Sequence, residues 1–377
     1  MTGSTIIDVS SDPEQVALPG EGGGEDHPFT HAAFARWLLA GVVLAIAAVA
    51  AVNWYIDPTG VTGRSTKWLV AENSEVRSAK LDLYEARVEA GDEPEVVLLG
   101  SSRTMKFDPA VVERLTGASA FNAAVSGGVP RDARLFTQLI EEHQGEDFPH
   151  LVWGLDVDAF RDKQLRDGLS TDPRMARFVP RGERWATRVA SAGTLTELQT
   201  LKAAIRSVWT GGADGQEPRE ARFSEAGMQL WSLPLGKTEV FRERLIRKQV
   251  AMYAGFIFER DSYDGIEQAP LDEFTDAIRI ANEHGEVPTV FLTPYHPLAE
   301  DLLQKYGIEE RTREVQALLR RLQREGDVEF ELVDASELAS FEGDPAGFYD
   351  GIHMTPENTE RVLELIHSRG ALAPVTR

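Results

Sequence analysis

Five short apolar runs, at residues 96–99, 120–124, 151–155, 289–292 and 328–333, recur along most of the chain with polar, helix-patterned stretches between them. Runs this short, without polar alternation, fit strands buried on both faces, as in a parallel sheet. The intervening stretches carry helix signals. Asp108-Pro109 ahead of AVVERL supplies a capping carboxylate and a first-turn proline. Residues 131–144, 271–283, 309–325 and 356–368 continue the alternation. Strand and helix in turn predict an α/β fold: an open, parallel, five-stranded sheet with helices on both faces.

Residues 158–270 break this rhythm, with helical pieces at 195–209 and 238–253 around a GGADGQEP loop. The stretch reads as an insertion over one edge of the sheet. A lid and a purely stabilising helical pack fit it equally well.

The N-terminal pattern is different. Residues 1–30 are rich in Gly, Ser, Asp, Glu and Pro and bury too little apolar surface to order, so they read as a disordered tail. Residues 37–56, WLLAGVVLAIAAVAAVNWYI, carry no charge and a single Asn53, the length a helix needs to cross a bilayer, with Trp37 at one end and Trp54 and Tyr55 at the other. A core helix is the weaker reading, because this segment is apolar on every side. Ala48-Val49-Ala50 resembles a signal-peptide cleavage site, yet a long acidic tail stands where a short basic region belongs, so an uncleaved anchor is preferred. Residues 57–94 follow as a juxtamembrane segment. Arg36 and His31 before the span, and Arg64 and Lys67 after it, do not choose an orientation.

Charge and composition narrow the chemistry. Thirty-nine Lys and Arg against 61 Asp and Glu give a net charge of -22, which argues against nucleic acid as a partner. The absence of cysteine removes thiol nucleophiles, disulfides and Cys-ligated zinc. No Walker loop, dinucleotide fingerprint or HExxH occurs, so neither metal nor organic cofactor is expected.

Ligands of open α/β sheets gather beyond the carboxyl ends of the strands. Gly100-Ser101-Ser102-Arg103 follows the first run, Ser126-Gly127-Gly128 the second, Asp156 the third, Thr293-Pro294-Tyr295-His296 the fourth, and Tyr349-Asp350-Gly351-Ile352-His353 the fifth. A serine hydroxyl needs an imidazole to take its proton, and the imidazole needs a carboxylate to fix its tautomer. Ser102, His353 and Asp350 supply one of each. The backbone N–H groups of Ser102 and Gly127 are candidates to bind an oxyanion. Arg103, Tyr295 and His296 are candidate substrate contacts, two of them with a structural alternative: a turn cap for Arg103, a backbone-bonded loop position for His296. Asp147 and His150 repeat the D-x-x-H spacing but precede the third strand, at the wrong edge. The YDGI at residues 263–266 lacks the histidine.

The blocks VVLLGSSRT, FNAAVSGG and YDGIHMTPEN resemble, in order and spacing, those of the SGNH or GDSL hydrolase superfamily, over roughly residues 95–367. Within it the chain looks most like the membrane-anchored bacterial branch with alginate O-acetyltransferase-like and teichoic-acid D-alanyl transfer proteins. The resemblance implies a three-layer, flavodoxin-like SGNH domain at 95–377, held outside the cytoplasm by a single-pass anchor. It implies Ser102 as nucleophile, Asp350 and His353 as its partners, and Gly127 at the oxyanion hole. The implied activity is that of a serine esterase or O-acyltransferase on acylated envelope glycans or lipid-linked polymers, with an envelope polysaccharide or acyl-transfer protein as partner. One position departs from the pattern. Gly154-Leu155-Asp156 offers a carboxylate where the family places an asparagine, and an ionised carboxylate only accepts. Weak activity, a protonated Asp156, or Asn122 acting in its place all remain open, as does a catalytically silent domain that binds polysaccharide or scaffolds an envelope complex.

Overall fold

The structure, a computed structural model, describes residues 31–57, 72–161, 172, 174–183, 193, 195–209, 222–230, 238–260 and 265–372. The expected tail at 1–30, the GGADGQEP loop and the first two residues of the YDGI at 263–266 lie outside these residues. Contacts divide the chain into two units, residues 1–47 and 48–377.

Five strands, β1 (Val96–Gly100), β2 (Ala120–Asn122), β3 (His150–Leu155), β4 (Thr289–Leu292) and β5 (Glu331–Asp334), form one all-parallel sheet in the order β2-β1-β3-β4-β5. The order reverses between β1 and β3, which places the crevice of a doubly wound sheet beside the carboxyl end of β1. Two strands are shorter than their apolar runs. β2 stops at Asn122 because the Asn122 carboxamide oxygen accepts from Ala124 N at 3.0 Å and turns the chain. β5 begins only at Glu331, although Val328 and Phe330 before it are buried.

Alternate residues of each strand enter two separate cores, as the pleat requires. Val97, Leu99, Trp153, Leu155, Val290 and Leu292 meet α4 (Pro130–Gln144), α7 (Gln268–Glu283) and α9 (Ile308–Glu325) on one face. Val96, Leu98, Val152 and Phe291 meet α3 (Pro109–Thr116) and α10 (Pro356–Ser368) on the other. The sequence signals hold locally: Asp108 caps α3 by accepting from Ala110 N at 3.0 Å, with Pro109 in its first turn.

α1 (His31–Ile56) contains one apolar segment, Ala33–Ile56, long enough to cross a membrane, and none of its most apolar window is buried. That rules out the core-helix reading.

The region expected to be a juxtamembrane segment contains a helix that the pattern hid. α2 (Glu72–Glu89) turns Arg77, Lys80, Leu81 and Tyr84 inward, and Leu81 and Tyr84 join the main core. Two of those four inward positions are charged, which erases the apolar stripe. Arg77 is paid for by a bidentate pair with Asp132 of α4, Nη2 to Oδ2 at 2.7 Å and Nε to Oδ1 at 3.1 Å. The globular fold therefore starts ahead of residue 95.

The insertion contributes α5 (Leu198–Trp209), α6 (Glu239–Ala254) and a segment at 222–230 closed by the Phe223–Gln229 bridge. Ile246, Val250 and Ala254 of α6 enter the main core. α8 (Pro297–Leu303) follows β4.

Candidate active site

The turn after β1 is shaped by close backbone approach. Gly100 sits at φ +146°, and a Cβ there would overlap the Thr104 hydroxyl and lie 2.7 Å from Gly154 O. Beyond it, Ser101 organises the turn: its Oγ accepts from Arg103 N at 3.1 Å and its carbonyl from Thr104 N at 2.9 Å. The Ser102 N–H has no acceptor among the described residues. Asn122 clamps the far side, donating from Nδ2 to Thr104 O at 3.0 Å and Phe107 O at 2.8 Å. The insertion braces the same turn, with Gln229 N donating to Met105 O at 2.9 Å and Lys106 Nζ to Gln229 O at 2.9 Å.

The loop between β5 and α10 brings His353 to Ser102. A Phe348–Met354 bridge and a Tyr349 N to His353 O bond of 2.9 Å close it into a tight turn. Gly351 turns at φ +92°, where a Cβ would press on Ile246 of α6 at 3.0 Å. Inside this turn one oxygen of Asp350, Oδ1, accepts from the Ile352 and His353 amides at 3.2 and 3.0 Å. The other, Oδ2, lies 2.8 Å from His353 Nδ1. His353 Nε2 lies 2.8 Å from Ser102 Oγ. The geometry fits Nδ1–H donating to Asp350, which leaves Nε2 to accept the serine proton.

Electrostatics suit that arrangement. The Asp350 side chain is 1% exposed and that of His353 21%, so the imidazole reaches solvent while its partner does not. Burial pushes the Asp350 carboxyl up, but the hydrogen bond and charge of His353, with the two amides, outweigh it and hold it below the usual aspartate range.

The other expected residues fall differently. Gly127 turns at φ +58°, and its neighbour Gly128 packs so tightly that a Cβ would overlap Gly100 O. This puts the Ser126-Gly127-Gly128 turn beside the turn that carries Ser102. Asp156 also lies at this edge, lining with Gly100, Ser101, Gly128 and Gly154 a small recess. It accepts from the Thr293 hydroxyl at 2.7 Å and sits 3.7 Å from Arg103 Nη1. Asn122, considered as its replacement, is fully buried with both Nδ2 protons spent on Thr104 and Phe107. Asn122 therefore has no Nδ2 proton left for an oxyanion.

Of the expected substrate contacts, Arg103 and Tyr295 are buried and His296 is half-buried. Arg103 is 2% exposed, lies over the Tyr295 ring at 4.1 Å and donates to the carbonyls of Thr293 and Pro294. Tyr295 is 5% exposed, and its hydroxyl lies 2.9 Å from that of Tyr253, which donates to Asp158 at 2.7 Å. His296 caps α8, its Nδ1 accepting from Leu298 N at 3.0 Å, and burial pulls its pKa down. The second D-x-x-H stays at the amino edge: His150 is buried, with Nε2 3.0 Å from Ala371 O.

Sequence reasoning missed Lys80. Fully buried, its ammonium donates to Asn122 O at 2.6 Å and to Gly227 O, tying the end of β2 to the 222–230 segment. Burial pulls its pKa well below the usual lysine range. The only signal was its helical spacing from Arg77, Leu81 and Tyr84.

A scan against protein-family models and a search of curated proteins both found no match. Among the described residues no cluster of three or more His, Asp or Glu is arranged to hold a metal ion.

Proposed function

We propose that the chain is a membrane-anchored serine esterase or O-acyltransferase of the SGNH type, acting on acylated envelope glycans or lipid-linked polymers outside the cytoplasm. The observation that carries this reading is the unbroken relay from Asp350 through His353 to Ser102, with both links at 2.8 Å, at the carboxyl edge beside the sheet's switch point. The sheet order 2-1-3-4-5 is that of flavodoxin-like folds and supports the SGNH assignment without being specific to it. The apolar, exposed α1 supports the anchor.

In the first half-reaction Ser102 Oγ attacks the ester carbonyl as its proton passes to His353 Nε2. The Ser102 N–H, at the adjoining Gly127 turn, receives the oxyanion. Collapse expels the alcohol, which takes the proton from His353, and leaves an acyl group on Ser102. Water or a sugar hydroxyl then attacks the acyl-enzyme, giving its proton to His353, which returns it to Ser102. Hydrolase and transferase differ only in that acceptor.

The test is fluorophosphonate labelling and acetyl-ester turnover by the detergent-solubilised full chain, compared with Ser102→Ala and His353→Ala. Both signals should vanish in both variants. A second reading, a silent SGNH domain that binds polysaccharide, is favoured by one observation: where an amide donor was expected, Asp156 presents a carboxyl group engaged with Thr293, and both Asn122 Nδ2 protons are used within the fold. A folded wild type that resists labelling, and binds glycan equally well as Ser102→Ala, would establish that reading instead.

A further inference from the structure

Asn53, the single asparagine of the uncharged stretch 37–56 of α1, is not idle. Asn53 is fully buried, and its Nδ2 donates to Leu195 O at 2.6 Å and Glu197 O at 3.3 Å. It stands one turn before the end of α1 at Ile56, flanked by Trp54 and Tyr55, which are 45% and 77% exposed. These are the side chains that settle at the boundary of hydrocarbon and headgroups. The backbone that Asn53 holds leads directly into α5, so α5 begins at the depth of that boundary.

α5 itself has an unusual exposed face. Leu198, Ile205, Val208 and Trp209 are 66%, 50%, 47% and 86% exposed. Their spacing of seven, three and one places all four within one stripe of a helix with 3.6 residues per turn. The side packed into the protein carries the small residues Thr200, Ala204 and Ser207 instead. Exposed Gln199, Lys202 and Arg206 border one flank of the stripe. An apolar stripe with basic residues along its margin is the arrangement of a helix lying in a membrane interface. In water, four large apolar groups on one face would be a sticky patch.

We propose that α5 lies in the interface of the membrane leaflet at the C-terminal end of α1, its Leu198–Trp209 stripe in the acyl boundary and its basic margin toward the headgroups. The inference rests on α1 crossing the bilayer. A second attachment would fix the orientation of the catalytic domain, where one helix alone would let it swivel.

The chain has no cysteine, so single cysteines can be placed without background. The full chain, reconstituted in phosphatidylglycerol–phosphatidylethanolamine vesicles, would carry an environment-sensitive fluorophore at Ile205→Cys, Gln199→Cys or Leu44→Cys, with nitroxide-bearing lipids as quencher. Strong quenching and a blue shift at positions 205 and 44, with clearly weaker quenching at 199, are expected. Quenching at 44 without quenching at 205 would overturn the inference while leaving the anchor intact. If the probe at 205 is shielded from aqueous iodide but untouched by lipid quencher, a protein surface covers α5 and the inference also fails. Absence of lipid quenching at 44 would remove the anchor itself, and the inference with it.

Discussion

Arg103 and Asp156 face each other at 3.7 Å beside the Ser102 turn, both largely withdrawn from solvent. The guanidinium takes two backbone carbonyls and the Tyr295 ring, but its Nε and Nη1 have no hydrogen-bond partner. Asp156 is thus the carboxylate nearest a buried cation, and its charge serves the fold. Asp156→Asn keeps an acceptor for Thr293 and loses the charge, so a loss of about 1–3 kcal/mol is expected, that of an unsatisfied buried polar group and below the roughly 3–5 kcal/mol of a broken buried pair. Urea denaturation gives the answer directly. An unchanged midpoint would mean that the Thr293 and Pro294 carbonyls satisfy Arg103 unaided.

Asp350 combines burial with three donors, so it is expected to act as an ionised orienter of His353. Asp350→Asn preserves shape but favours the wrong imidazole tautomer, and a fall of about 10⁴-fold in kcat is expected by analogy with serine hydrolases. The same residue sets a pH dependence. Its folded carboxyl titrates below the unfolded one, so its contribution to stability is fully present above the ordinary aspartate pKa and is lost as pH falls through the folded value. The stability gap between wild type and Asp350→Asn should therefore close in acid. A gap that stays constant from neutral pH down to about pH 3, around and below the unfolded value, would contradict this.

Ser102, Asp350 and His353 were legible because a parallel sheet converts chain order into spatial convergence. Residues that follow successive strands must meet at one edge, whatever the details between them. The five strands were legible for a related reason, since burial on both faces leaves unbroken apolar runs. Side-chain direction in turns has no such periodicity. Arg103 adjoins the nucleophile in sequence yet points inward under Tyr295, and His296 spends its ring on a helix cap. Lys80 and Arg77 went unseen because inward charges, each satisfied by a distant partner, look like solvent-facing ones until that partner is placed.

The glycines at the strand ends make a sharper demand. A Cβ on Gly154 would overlap the Thr104 hydroxyl and come within 2.8 Å of the Phe291 ring. Phe291 is fully buried and cannot yield, so Thr104 and the nucleophile turn must move. Gly154→Ala is expected to cost about 1–3 kcal/mol through overpacking and to reduce ester turnover more than 10-fold, the order of loss small misplacements produce. Gly182→Ala, where a Cβ meets nothing within 4 Å, is the control and should leave both unchanged. Turnover at the wild-type level in Gly154→Ala would show that the turn tolerates the displacement.

Lys106 offers a second pH signature, opposite in sense to that of Asp350. It is buried beneath the insertion, donates to Gln229 O, and burial pulls its pKa down to about 8. The unfolded chain holds that proton up to the ordinary lysine value of about 10.4, so between roughly pH 8 and 10 it binds more protons than the folded protein. Stability from this group must then rise with pH across that window, because the folded state no longer carries a poorly solvated ammonium. Lys106→Met should flatten the rise, seen as a smaller increase in urea midpoint from pH 8 to pH 10 than in wild type. Equal increases in the two proteins would place the Lys106 ammonium in solvent and remove it as a brace between the 222–230 segment and the nucleophile turn.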